Sequence, residues 1–277
     1  MVPRGNGPRR VRGAANRESS MEHITVERRG RVTRITLARP HVLNAINARM
    51  HQELEEAFNA FAADDGQWVA VVTGQGRGFC AGSDLKAAAA EGFAGYPAHG
   101  YAGLIERFDC DKPIIAAVNG LALGGGFEVA LACDLIIAAQ SARFGLPEPR
   151  VGAVALGGGL HRLARQIGLK RAMGMILSAR PVDAAEGERL GFVTEVVPDA
   201  DLETAVERWV EAILQGAPLS IRASKQAVMR GLDEPGVAAA MAAQPSYPAF
   251  AEWAASEDLR EGPAAFAEKR PPVWQGR

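Results

Sequence analysis

The chain lacks the features that mark several large functional classes. Its three cysteines, Cys80, Cys110 and Cys133, are odd in number and widely spaced. That excludes a disulfide framework and a zinc pattern, and it points to a reducing, cytoplasmic setting in which a buried thiol serves as a small hydrophobe. Five histidines form no HExxH or similar pair on one helix face, so no metal site is expected. Net charge is almost absent: 31 basic against 32 acidic side chains give −1, without the basic excess of a dedicated nucleic-acid binder. No apolar run approaches the ~20 residues of a membrane span. What remains, 48% hydrophobic and 23% charged over 277 residues, is enough chain for one large globular domain or two modest ones.

Residues 1–20 are rich in Arg, Gly and Pro and lack the apolar core of a secretory signal, so a disordered extension is expected there, with Met21 as a natural start. From His23 the pattern reads strand, turn, strand, with Arg29-Gly30 as the turn and Ile35 and Leu37 pointing inward. A helix follows, with Ile46, Met50, Leu54, Phe58 and Phe61 on one face. The runs "WVAVVTG", "IIAAVNG" and "LIIAA" are short buried strands, each followed by a turn and a helical or loop segment, and "FVTEVV" reads as the last strand. "YAGLIERF" is expected as a helix. Strands alternating with helices every thirty to forty residues indicate an α/β fold with parallel sheets, and their shortness suggests stacked turns as much as one doubly wound sheet. The organisation expected is a core over 21–200 and a helical region over 201–277.

The stretch "NGLALGGGFEVALACDLIIAA" sets three glycines before a carboxylate, Glu128, at the mouth of an apolar run. A helix starting near Gly126 would leave Gly124 and Gly125 at its N-terminus, where free N–H groups and the helix dipole favour negative charge. The bland alternative is a tight turn with Glu128 solvated. Two further pieces bear on the choice. In "GFCAGSDL" another glycine turn offers the N–H of Ser83, and in "FGLPEPRVG" two prolines hold Glu148 on a stiff loop. Two backbone donors and two carboxylates, on three separate turns, match one chemical requirement: donors for an enolate oxygen and acids for the adjacent carbons.

With these residues the sequence resembles the enoyl-CoA hydratase/isomerase, or crotonase, superfamily. The resemblance rests on "ITLARPHVLNAIN", "GRGFCAGSDLK", "DKPIIAAVNGLALGGGFEVALACDLIIAA", "ARFGLPEPRVG" and "SEDLREGPAAFAEKRPPVW", in that order from His23 to the end. It implies a spiral of ββα turns and a C-terminal helical region that builds a homotrimer or a dimer of trimers. It implies an oxyanion hole from the N–H groups of Ser83 and Gly125, and catalysis by Glu128 and Glu148, which activate water, Glu148 exchanging the α-proton. It also implies an acyl-CoA cradle at Ala45, Ser83, Asp84, Leu85, Lys86 and Gly125, with coenzyme A as part of the substrate and no further cofactor. The expected reaction is reversible addition of water to a 2-enoyl-CoA. Narrower similarity, carried by "DLKAAAAEG" and the following loop, is to relatives that handle carnitinyl- and crotonobetainyl-CoA. Relatives that only shift a double bond commonly lack one glutamate; this chain keeps both.

Serine at 83 departs from the alanine of well-known hydratases. Because the donor is a backbone N–H, its hydroxyl is expected to be spare. The loop from Lys86 to Gly103, rich in small residues, is expected to be mobile and to line the acyl site. The last tryptophan, Trp274, preceded by Pro271 and Pro272, is expected to seek a partner surface. Rival readings are weaker. A dinucleotide-binding oxidoreductase lacks a ribose-binding acid and a YxxxK pair, and a serine hydrolase on "AGSDL" lacks the glycine two before the serine. A non-catalytic RNA-binding relative has only the basic N-terminal extension in its favour.

Overall fold

The computed structural model describes residues 21–92 and 95–277. The expected extension at 1–20, and Phe93 and Ala94 of the expected loop, lie outside the described residues.

Among the described residues, ten strands form two sheets. The larger contains β1 (Ile24–Arg29), β2 (Val32–Leu37), β3 (Val69–Gly74), β5 (Ile114–Val118), β7 (Leu135–Ala139) and β10 (Glu195–Val197), in that spatial order. β1 and β2 are an antiparallel hairpin turned at Gly30, and every later neighbour pairs in parallel. The smaller sheet stacks β4 (Gly78–Cys80), β6 (Leu121–Leu123) and β8 (Arg143–Gly145) in parallel, with β9 (Val182–Asp183) antiparallel at the edge. Each circuit therefore lays one strand in the large sheet and the next in the small one: β3 then β4, β5 then β6, β7 then β8. This is the α/β spiral of ββα turns. The small sheet has no signature in the sequence because its strands span only two or three residues, too few for alternation to show.

The helices are α1 (Ala48–Ala63), α2 (Leu85–Glu91), α3 (Gly125–Ala132), α4 (Gly159–Ile167), α5 (Leu169–Ser178), α6 (Ala184–Leu190), α7 (Leu202–Leu214), α8 (Pro218–Gly231), α9 (Val237–Ala243), α10 (Pro248–Ala255) and α11 (Asp258–Glu268). α1 starts at Asn47, whose side chain accepts the N–H of Met50, and it buries Met50, Leu54, Phe58 and Phe61 in the main core. α7 covers the opposite face, setting Leu202, Ala205, Val206 and Val210 on Val69, Val71, Ile115, Ala117, Ile137 and Ala139. The central strands β3, β5 and β7 are thus covered on both faces, which explains their near-continuous apolar runs.

One local expectation fails. "YAGLIERF" forms only a single 3₁₀ turn, Tyr101–Gly103, because Gly100, Ala102 and Gly103 all take positive φ, which no right-handed helix accommodates. From Gly100 to Ile105 that stretch is buried in the main core, part of the segment expected to be a loop. Trp274 also has contacts within its own chain. Its indole N–H donates to the Gln215 carbonyl at 2.8 Å and its ring lies against Gly262. Nearby, the buried Asp258 carboxylate accepts the N–H groups of Gln275 and Gly276.

Candidate active site

Stacking in the small sheet creates the site. β4, β6 and β8 run in parallel, so their C-terminal ends are neighbours, and the turn leaving each strand meets the turn leaving the next. After β6 the chain turns at Gly124, whose N–H donates to the Gly145 carbonyl at the end of β8. After β4 it turns at Gly82, so close to its neighbour that a methyl group on Gly82 would stand 2.9 Å from the Leu123 carbonyl and 3.3 Å from the Gly125 nitrogen. Gly82 and Gly124 both have positive φ, so side chains are excluded there on backbone grounds as well. The three corners expected to cooperate are therefore brought together: Gly82-Ser83, Gly124-Gly125 and Leu146–Glu148.

Among the described residues, neither the Ser83 nor the Gly125 N–H donates to a protein acceptor. Gly125 is the first residue of α3, one position earlier than expected, and Gly126 lies so near Cys80 that an added Cβ would meet its carbonyl oxygen at 2.1 Å. Two free donors and a helix N-terminus thus face one small volume.

Both carboxylates lie beside these corners. Glu128, in the first turn of α3, is 3% exposed, and Oε1 accepts the Gly159 N–H at 2.9 Å. A Cβ on Gly157 would fall 2.4 Å from Glu128 Oε2, so the segment Gly157–Gly159 is a third glycine-built wall, which the sequence reading missed. A second glycine triplet was its only signal. Burial first, with the nearby Glu148, pushes the Glu128 carboxyl up to about 7, against the pull of the Gly159 N–H and Arg162. Glu148 opens a 3₁₀ turn, Glu148–Val151, rather than a free loop, and burial raises its pKa too. Its Oε1 would be 3.0 Å from a Cβ on Gly124, and its Oε2 is buried with no protein partner among the described residues. An orphaned buried oxygen is costly unless something else fills the position.

The expected cradle lies on the other side of Ser83. Ile46 forms a parallel bridge to Ser83, with Ile46 N–H to Gly82 O and Asp84 N–H to Ile46 O. Asp84 caps α2 by accepting the Ala87 N–H, and it pairs with Arg39, whose guanidinium also donates to the Ala45 carbonyl at 2.5 Å. Leu85 and Lys86 are exposed at the start of α2. The motif "RPHVLNAIN" is explained by bracing: Asn44, wholly buried at φ 56, accepts the Arg39 N–H and donates to Gln75 O and Gly78 O.

The far wall holds residues that sequence reading missed altogether. Tyr101, 2% exposed, presses its phenol tip on Gly125 and sets Oη 3.4 Å from Ser83 Oγ. Edge-on contacts join it to His51 and Tyr96. His51 Nδ1 accepts the Ala102 N–H, and burial lowers this imidazole to about 4, so it is neutral near pH 7.

Comparisons with known proteins bear on the family and the fold. The family profile described as "Enoyl-CoA hydratase/isomerase" matches residues 27–277. A protein from Proteus mirabilis named carnitinyl-CoA dehydratase is 42% identical over 92% of this chain and 98% of its own length. One of the same name from Citrobacter koseri is 43% identical over 92% and 99%. Among solved structures, an enoyl-CoA hydratase from Mycobacterium tuberculosis H37Rv superposes with a TM-score of 0.86 at 38% identity, covering 92% of this chain and 99% of the other.

Proposed function

The chain belongs to the enoyl-CoA hydratase/isomerase family, and from that premise we propose that it adds water reversibly to a 2-enoyl-CoA, giving a 3-hydroxyacyl-CoA. The observation that carries this reading is the pairing of two carboxyls, Glu128 and Glu148, around two unpaired N–H groups, Ser83 and Gly125. The thioester oxygen lies on the two N–H groups, and the acyl-CoA enters over Ala45 and the Ser83–Lys86 segment. Glu128 and Glu148 hold one water. Its oxygen bonds to C3, the C2–C3 π pair moves onto the thioester oxygen as an enolate, and Glu148 delivers the water's proton to C2 as that pair returns. One water is consumed, both new bonds form on one face, and coenzyme A is part of the substrate rather than a cofactor. A raised carboxyl suits this chemistry, because a group near neutrality both takes and returns a proton.

A second reading has its own support. Relatives at 42–43% identity are named carnitinyl-CoA dehydratase, and the same residues run in reverse would remove water from a 3-hydroxyacyl-CoA bearing a trimethylammonium group. A substrate panel of crotonyl-CoA, longer enoyl-CoAs and crotonobetainyl-CoA, followed by loss of the conjugated enoyl absorbance, separates the two. Turnover of the plain enoyl thioesters supports the first and turnover of crotonobetainyl-CoA alone the second. No turnover with folded protein contradicts both. We further propose a homotrimer or a dimer of trimers. Val228, Met229 and Leu232 of α8, Val237 and Met241 of α9 and Phe266 of α11 are exposed on the C-terminal helices, more apolar surface than a monomer needs. Light scattering should give a mass near three or six chains; a fully active monomer would contradict it.

A further inference from the structure

Tyr101 is the bulkiest side chain at the oxyanion site, and the reaction scheme leaves its hydroxyl without a task. A methyl group on Gly125 would meet its Cζ at 2.3 Å and its Oη at 2.5 Å, while Oη lies 3.4 Å from Ser83 Oγ. The phenol oxygen is thus lodged between the two residues whose N–H groups are free.

The chain accepts strain to hold it there. Ala102, the next residue, has φ 57, a left-handed conformation that is unfavourable for a side-chain-bearing residue. Its N–H is tied to His51 Nδ1 at 3.0 Å. Gly103 follows at φ 61, so close to α1 that a Cβ would be 2.5 Å from Glu55 Cα. Beyond it, Arg107 donates to the Gly103 carbonyl and to Asn59, and Glu55 accepts from His99. Packing an aromatic ring in a core needs neither a strained turn nor a hydroxyl. Phe would fill the same space without burying a polar group.

Resting on the enolate chemistry proposed above, we infer that Tyr101 is a third hydrogen-bond donor to the thioester oxygen. In this arrangement the Ser83 hydroxyl donates to Tyr101 Oη, which leaves the phenol proton free for the substrate. Hydroxyls linked in series polarise one another, so Ser83 strengthens the donor it supports. Burial pushes the phenol pKa well above its usual value, so it stays a neutral donor at any working pH. This assigns the Ser83 side chain a role where the sequence suggested none.

The test uses Tyr101→Phe, Ser83→Ala and the double variant in the full chain, with two readouts. With crotonyl-CoA, Tyr101→Phe should lower kcat about 10- to 100-fold while KM changes less than about threefold, as expected for a donor that matters most when charge develops. Ser83→Ala should cost about 3- to 10-fold, and that cost should vanish in the Tyr101→Phe background. With acetoacetyl-CoA as a probe, the wild type should raise the ultraviolet enolate band of the bound thioester and Tyr101→Phe should not. The Phe ring keeps the contacts with His51 and Tyr96, so the thermal midpoint should hold. Unchanged kcat and an unchanged enolate band in Tyr101→Phe, with the wild type active, would overturn this inference alone. A wild type that turns over no enoyl-CoA, yet enolises acetoacetyl-CoA in a Tyr101-dependent way, would overturn the hydratase reading and leave this one standing. An additive Ser83 effect would overturn the relay through Ser83.

Discussion

The two sides of the site are built in opposite ways. On one side stand three glycine corners, Gly82-Ser83, Gly124–Gly126 and Gly157–Gly159, where backbone does the binding and any added Cβ would collide. On the other stands the loop around Tyr101, held by a side-chain network: His51 on Ala102, and Glu55 with His99, Asn59 and Arg107. The glycine side gains precision from the absence of side chains, and the other gains it from satisfying several at once. The first should fail locally and sharply when a methyl group is added. The second should fail cooperatively when one partner goes.

The largest effect expected is on the chemistry itself. Glu128→Gln and Glu148→Gln should each lower hydration about 10²- to 10⁴-fold with the fold intact, read from the enoyl absorbance. Gly126→Ala should be nearly as damaging for a different reason. Its Cβ would meet Cys80 backbone at 2.1 Å, so the turn itself must move, at a cost of about 1–3 kcal/mol or more in urea unfolding. Gly157→Ala sharpens the contrast, because its Cβ would meet side chains rather than backbone: the carboxylate of Glu128 at 2.4 Å and the Ile105 methyl at 3.1 Å. That carboxylate can swing aside, so stability should be largely kept while kcat drops about 10- to 100-fold.

On the opposite side, Glu55→Leu removes the anion from beside Arg107, whose side chain is 2% exposed and 3.6 Å from Glu55. Leaving a buried guanidinium without its anion should cost about 3–5 kcal/mol. Unfolding midpoints report the loss. Equal stability in Glu55→Leu and the wild type would show that this network does not hold the loop.

How legible these two sides were in the sequence depends on how they are built. Glycine runs, the paired prolines around Glu148 and the apolar strands are local signals, and the residues they point to do lie together. The strand hairpin with Ile35 and Leu37 inward, and the buried face of α1, were readable for the same reason. The second sheet was not, since two- and three-residue strands carry no period. Nor was the loop that carries Tyr101: its anchors His51 and Glu55, which bind Ala102 and His99, lie some fifty residues away on α1, and no spacing rule links them.

A smaller effect tests the electrostatics. Burial holds the Glu128 carboxyl near 7 when folded, against the usual value near 4.3 when unfolded, so the folded chain binds this proton more tightly. Its contribution to stability is therefore full below the unfolded value and is lost as pH rises to about 7 and beyond, by at most about 4 kcal/mol. Urea midpoints at pH 5 and pH 8 should differ less in Glu128→Gln than in the wild type. The hydration rate should also fall on the acid side as the carboxyl pair takes up protons. Smallest of all, Leu85→Ala at the exposed rim of α2 should change stability by less than about 0.5 kcal/mol, with any effect confined to KM.

The most direct measurement of the central claim, that Glu148 moves a proton at C2 of a thioester held on two glycine-corner N–H groups, is α-proton exchange. Butyryl-CoA, which has no double bond to hydrate, is incubated in D₂O with the wild type, Glu148→Gln and Glu128→Gln and followed by mass spectrometry. The account predicts uptake of one deuterium at C2 by the wild type, none above background by Glu148→Gln, and residual uptake by Glu128→Gln. Exchange at the wild-type rate in Glu148→Gln would contradict it.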